Sequence, residues 1–166
     1  LLVHVTQSLE TIKWLGGKGH QWVPNTSDPT AGDVIVINGG GFGLQERSFG
    51  FLERSDVAIH YDSSATDLIL DKRGRVIGVH SFTPNGIQTF QSTSVVLASG
   101  GFEGNPEIRA KYLGPKWDTA KMRGVPYNTG DGLQMALAIG AMPECSWTSC
   151  HATPQDLNRP EYSLPS

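Results

Sequence analysis

Cysteine is almost absent from these 166 residues. Cys145 and Cys150 cannot build a disulfide framework, and their spacing to His151 matches no dependable zinc pattern. Both read as ordinary thiols, and no metal is expected. Excess positive charge is missing as well: 13 Lys and Arg against 16 Asp and Glu leave a formal net charge of -3. Without a basic field to hold a phosphate backbone, a nucleic-acid partner is not expected. No apolar run approaches bilayer-spanning length, and residues 1–5 lack the length and flanks of a signal peptide. No membrane segment is therefore expected, and the cytoplasm is the expected compartment. An initiating methionine is lacking too, because the chain enters at Leu1 straight into the spacing of Leu2, Val5, Leu9 and Ile12. That spacing predicts a helix already under way, with something missing upstream.

What the sequence does hold is glycine, 20 residues of it, and a hydrophobic content of 38%. That is enough apolar material for the core of one domain, or for one long piece of a larger domain. Gly16, Gly17 and Gly19 end the first helical pattern, and residues 24–32 have the Pro, Thr, Ser and Asp content of a surface loop. Residues 33–38 (DVIVIN) read as a strand, and residues 44–54 as a helix with Leu44, Phe51 and Leu52 on one face, although Gly50 weakens it. From residue 57 the texture turns to β. Strands are predicted over 57–61, 66–70, 75–82 and 87–91, with turns at Lys72-Arg73-Gly74 and Pro84-Asn85-Gly86, which together describe an antiparallel meander. Residues 94–98 follow, and Val95-Val96-Leu97-Ala98 is apolar on both faces, as a strand inside a helix-covered parallel sheet would be. Short helices are predicted over 106–112 and 132–139, with an irregular connector at 114–125 and a stop at Gly140.

Two glycine-rich regions are candidates for a dinucleotide. The first is DVIVINGGGFG, followed by a helix, a strand and Asp62, about where an acid meets a ribose in a Rossmann unit. Its spacing fails, because counting from Gly39 puts Leu44 where a small residue lets helix and strand pack closely. A plain loop, or a different ligand-facing turn, is the better reading of residues 39–43. The second region joins SVVLASGGFEGN to NTGDGLQMALAIGA. Its glycine pair permits close backbone approach to a bulky ligand, and its helix start offers unpaired N–H groups to anionic or carbonyl oxygens; together they suggest a flavin dinucleotide. Asp131 sits where the helix dipole stabilises a carboxylate that caps free N–H groups, so capping alone would account for it.

Several motifs in order carry a family resemblance. SVVLASGGFEGN resembles the strand and turn of the fumarate reductase and succinate dehydrogenase flavoprotein superfamily, NTGDGLQMALAIGA resembles its Thr-Gly-Asp-Gly helix start and Gly-Ala finish, and CHATP sits where the family shows Ala-His-Pro-Thr. The text RGVPYNTGDGL is most similar to the tricarballylate dehydrogenase branch. The resemblance covers roughly residues 39–154. It implies an α/β fold with α+β character: part of an FAD-binding domain over residues 1–141, a meander at about 57–98, and the beginning of a capping domain over 142–166. It also implies FAD as cofactor, held by Ser99, Gly100, Gly101, Thr129, Gly130 and Asp131, and a carboxylic-acid substrate contacted by His151. In the sequence, His151 is followed by Ala-Thr-Pro, a departure from the family order. The family's own pyrophosphate-binding turn, C-terminal FAD segment and proton-donating arginine have no counterpart here. The chain is accordingly expected to be a fragment, inactive and without flavin by itself, and prone to self-association through uncovered apolar surface. The alternatives are a stand-alone nucleotide-binding module using residues 39–43, or a fragment without catalytic function.

Overall fold

A computed structural model describes residues 2–26, 30, 34–154 and 156–162. Two compact units divide the chain between Tyr61 and Asp62.

In the first unit, helix α1 (Leu2–Gly17) forms where the apolar spacing predicts it, and ends ahead of Gly19, whose positive φ of 92° only glycine adopts freely. Its apolar residues Leu2, Val5 and Leu9 are exposed. Strand β1 (Trp22–Pro24), which no sequence pattern announced, pairs antiparallel with β2 (Ile35–Ile37). The part of the 33–38 expectation that falls on Asp33 lies outside the described residues. Helix α2 (Gly40–Glu53) starts four residues earlier than the sequence predicts. Gly39, at φ 75°, turns the chain into it, and a Cβ on Gly43 would meet the Asn38 carbonyl oxygen at 2.5 Å. These glycines thus serve the turn and the first helical coil. Together with the antiparallel β1–β2 pairing, they give the Rossmann reading of residues 39–43 no support.

The second unit carries the meander: β3 (Ser64–Leu70), β4 (Val76–Thr83) and β5 (Gly86–Gln91) form one antiparallel sheet with β4 in the centre. Asp71 closes the β3–β4 turn. Its carboxylate accepts from the main-chain N–H of Arg73 at 2.8 Å and of Arg75 at 2.9 Å, and from Arg75 Nε at 2.8 Å. Those bonds hold its carboxyl below the ordinary aspartate range. Helix α3 (Pro106–Leu113) opens with Pro106 at its start and an Asn105 cap that accepts from Ile108 N–H at 3.1 Å. Within the 114–125 connector a single 3₁₀ turn forms at Trp117–Thr119. Helix α4 (Asp131–Ala138) packs against β3 and ends in a Schellman motif, Gly140 N–H to Leu137 O and Ala141 N–H to Ala136 O, both at 3.0 Å.

Two expected strands do not form. Residues 57–61 join no sheet, and Tyr61 instead stacks on Phe49 at 6.2 Å and donates to Glu53 at 3.2 Å. Residues 94–98 run without a ladder, with Val96 88% exposed. A strand buried inside a parallel sheet needs neighbours on both edges, and no described strand lies beside this one. The observed meander therefore spans residues 64–91 rather than the expected 57–98.

Candidate functional site

The two motif regions of the second unit, 28 residues apart in sequence, form one double turn. Gly104 N–H donates to the Asn128 carbonyl at 2.8 Å, Asn105 Nδ2 to the Thr129 carbonyl at 3.2 Å, and Asn128 Nδ2 to Glu103 Oε1 at 2.6 Å. The glycines follow from this stitching. A Cβ on Gly100, already at φ 80°, would lie 2.8 Å from Asn128 Oδ1, and one on Gly101 would lie 2.5 Å from Glu103 Oε2. Gly130, at φ 83°, leads into α4 with Phe102 Cβ 3.0 Å from where its own Cβ would stand. Gly132 in α4 faces Ser99, whose hydroxyl oxygen occupies the space of a Cβ there. The close approach these glycines allow is that of one turn to the other.

Six of the seven residues singled out from sequence, Ser99, Gly100, Gly101, Thr129, Gly130 and Asp131, belong to this double turn. Asp131 does not cap. Its exposed carboxylate accepts the Thr129 hydroxyl at 2.8 Å, and no side chain caps the start of α4. The cap position falls to Gly130, which has no side chain to offer, so among the described residues nothing meets the first N–H groups of the helix. Among the described residues, the main-chain N–H groups of 99–101 and the Ser99 hydroxyl have no hydrogen-bond partner either. Free donors on both turns fit a ligand that presents many oxygens, as a dinucleotide does. Residues that sequence reasoning missed, Glu103 and Asn128, do the stitching; nothing in their spacing announces a partner 25 residues away.

Beside Gly101 and Phe102 lies a cavity of about 470 Å³, walled by Leu133 and Leu137 of α4, by Met142 and by Trp147. Phe102 and Trp147 stack on its aromatic side with ring centroids 6.1 Å apart, and Tyr112 packs behind both rings. Among the described residues, its charged lining residues are Glu103 and Glu144. Cys150 reaches the wall, whereas His151, exposed in an irregular segment, is not among the lining residues. Among the described residues, no group of His, Cys, Asp and Glu could hold a metal ion, and no helix is long and apolar enough to cross a membrane.

Residues 14–149 match the family described as FAD binding domain. The chain is 27% identical over 147 residues to NADH:acrylate oxidoreductase of Vibrio harveyi, covering 82% of this chain and 14% of that protein. It is 35% identical over 98 residues to 3-oxosteroid 1-dehydrogenase of Mycobacterium tuberculosis (strain ATCC 25618 / H37Rv), covering 54% of this chain and 17% of that one. It therefore spans under a fifth of the length of these curated relatives. Among solved structures, the open conformation of a flavocytochrome c3 fumarate reductase superposes with a TM-score of 0.73 at 24% identity, over 82% of this chain and 25% of that one. A 3-ketosteroid-delta4-(5alpha)-dehydrogenase from Rhodococcus jostii RHA1 gives 0.68 at 20% identity, over 82% and 36%. These neighbours share the fold, part of an α/β FAD-binding domain, and no comparison singles out the tricarballylate branch. With most of its length matched, the chain belongs to the FAD binding domain family, and FAD is the cofactor of the domain it forms part of.

Proposed function

We propose that the chain is a segment of a cytoplasmic FAD-dependent dehydrogenase or reductase that acts on a carbon–carbon bond of a carboxylic acid, tricarballylate being the specific candidate. The observation that carries this reading is the double turn, whose free N–H donors on residues 99–101 and at the start of α4 suit an oxygen-rich cofactor. FAD, when bound, supplies the two-electron hydride chemistry. Ser99, Gly100 and Gly101 would offer main-chain and hydroxyl donors to it, Thr129 and Gly130 would flank it, and Asp131, oriented by the Thr129 hydroxyl, would accept from it. His151 would hydrogen-bond a substrate carboxylate and so orient the reacting carbons. In this reading residues 1–141 contribute to the FAD-binding domain and 142–166 begin a capping domain. Relatives named for acrylate and fumarate support an unsaturated acid, and the text RGVPYNTGDGL supports the tricarballylate branch.

A second reading takes a neutral, ring-shaped substrate. It is favoured by the apolar cavity, whose described lining has aromatic walls and no cation to meet a carboxylate, and by the relatives named for steroids. Flavin absorbance in the intact protein that carries this chain, followed as reduction by tricarballylate or a 3-ketosteroid and as reoxidation of the reduced flavin by acrylate, separates the two. Turnover confined to the ketosteroid rejects the acid reading. In the same protein Asp131→Ala should lower flavin retention, while His151→Ala should keep the flavin and lower kcat/KM by roughly ten- to a hundredfold, the effect of one hydrogen bond to a charged group. Unchanged kinetics for His151→Ala would remove that residue from the site.

A further inference from the structure

Arg109 is a buried cation without an acid. It projects from α3 with only 6% of its surface exposed, and no ion pair to a carboxylate is present among the described residues. Burying a guanidinium is costly unless its donors are satisfied, and here main-chain carbonyls satisfy them. Nε donates to Trp117 O at 2.8 Å, one terminal nitrogen to Asp118 O at 3.1 Å and Ala120 O at 3.2 Å, and the other terminal nitrogen to Glu103 O. Three of those carbonyls lie in the connector, and the fourth belongs to the turn that follows Gly100 and Gly101. Glu103 is also the residue whose side chain holds Asn128, and Asn128 is the residue packed against Gly100. The fork of the guanidinium thus ties the connector to one turn, and Glu103 ties that turn to the other.

We infer that Arg109 is a positioning residue: its guanidinium fork sets the spacing of the double turn before any ligand arrives. That the double turn faces FAD rests on the function proposed above; that Arg109 shapes it does not. A point charge on a flexible stem cannot serve four carbonyls at once, so lysine is not an equivalent.

Amide exchange of the full chain, resolved by residue, tests this. The Gly104 amide reports the gap between the turns, because it donates to Asn128 O, and the β3–β4 ladder amides serve as the reference. Both Arg109→Met and Arg109→Lys should speed exchange at Gly104 by about tenfold while the ladder amides keep their rates. If Arg109→Met loosens the whole unit, ladder included, the milder Arg109→Lys decides. Gly104 exchanging at the wild-type rate in Arg109→Lys, or speeding up only in step with the ladder, overturns the inference. In the intact protein loaded with FAD, the same two substitutions should raise the Kd for FAD about tenfold. An intact wild-type protein that takes up no FAD would refute the proposed function while leaving the exchange result to stand by itself.

Discussion

Gly104→Ala places a methyl group between the two turns, and the surroundings there cannot yield cheaply. The added Cβ would lie 2.7 Å from the Pro126 carbonyl oxygen, 3.0 Å from the Asn128 carbonyl oxygen and 3.1 Å from the Pro126 carbonyl carbon, all main-chain atoms. A side-chain obstacle would rotate away; these require the turns to separate. Overpacking of this kind costs about 1–3 kcal/mol. Separation also stretches the Gly104 N–H bond to Asn128 O, now 2.8 Å, for a further ~0.5–1.5 kcal/mol. Against this stands the reduced unfolded-state entropy of alanine, worth about 0.4–1 kcal/mol. The net expectation is a loss of roughly 1–3 kcal/mol, a drop in Tm on the order of 5 °C for a chain of this size. Urea unfolding followed by the fluorescence of Trp117 and Trp147 measures it. Gly41→Ala is the internal control, since that glycine lies within α2 with no atom within 4 Å of its Cβ position, and it should gain about 0.5–1 kcal/mol. A midpoint for Gly104→Ala equal to or above wild type, with the control behaving as stated, would refute the close apposition of the turns.

The β3–β4 turn gives a pH dependence. The folded state lowers the carboxyl pKa of Asp71, so its stabilising effect is full above the ordinary aspartate value of 3.8 and is lost as the pH falls from there through the lowered folded value. The stability difference between wild type and Asp71→Ala should narrow over that acidic window, and a constant difference would remove the carboxylate from the account. The chain by itself should not retain stoichiometric FAD through gel filtration, because the contacts it offers do not offset the ordering cost of binding; a yellow protein would contradict this. Leu2, Val5, Leu9, Val96 and Met142 are more than half exposed, so light scattering should show self-association that rises with concentration. A strict monomer across that range would count against it.

Local patterns were legible in the sequence wherever a few adjacent residues settle the outcome. The helical spacing from Leu2 to Ile12, the Pro84-Asn85-Gly86 turn, and the Gly140 stop of α4 all act within one or two turns of chain, and each appears in the structure. The two motif regions were also legible as a pair, although not the reason for their glycines. That reason depends on contacts distant in sequence: Asn128 occupies the space beside Gly100, Ser99 the space beside Gly132, and Glu103 the space beside Gly101 while bonding Asn128. Arg109 gives no sign in the sequence of its burial, since its partners are main-chain carbonyls of an irregular connector that no spacing announces. Strand status was misread at 57–61 and 94–98 because β structure is a property of neighbours: an apolar run fixes which faces seek burial, but only a partner strand supplies its hydrogen bonds. The sequence by itself therefore determined the locally coded helices and turns, the three-stranded meander and the broad FAD-binding family. Tertiary structure decided which turns meet, and why only glycine fits where they do.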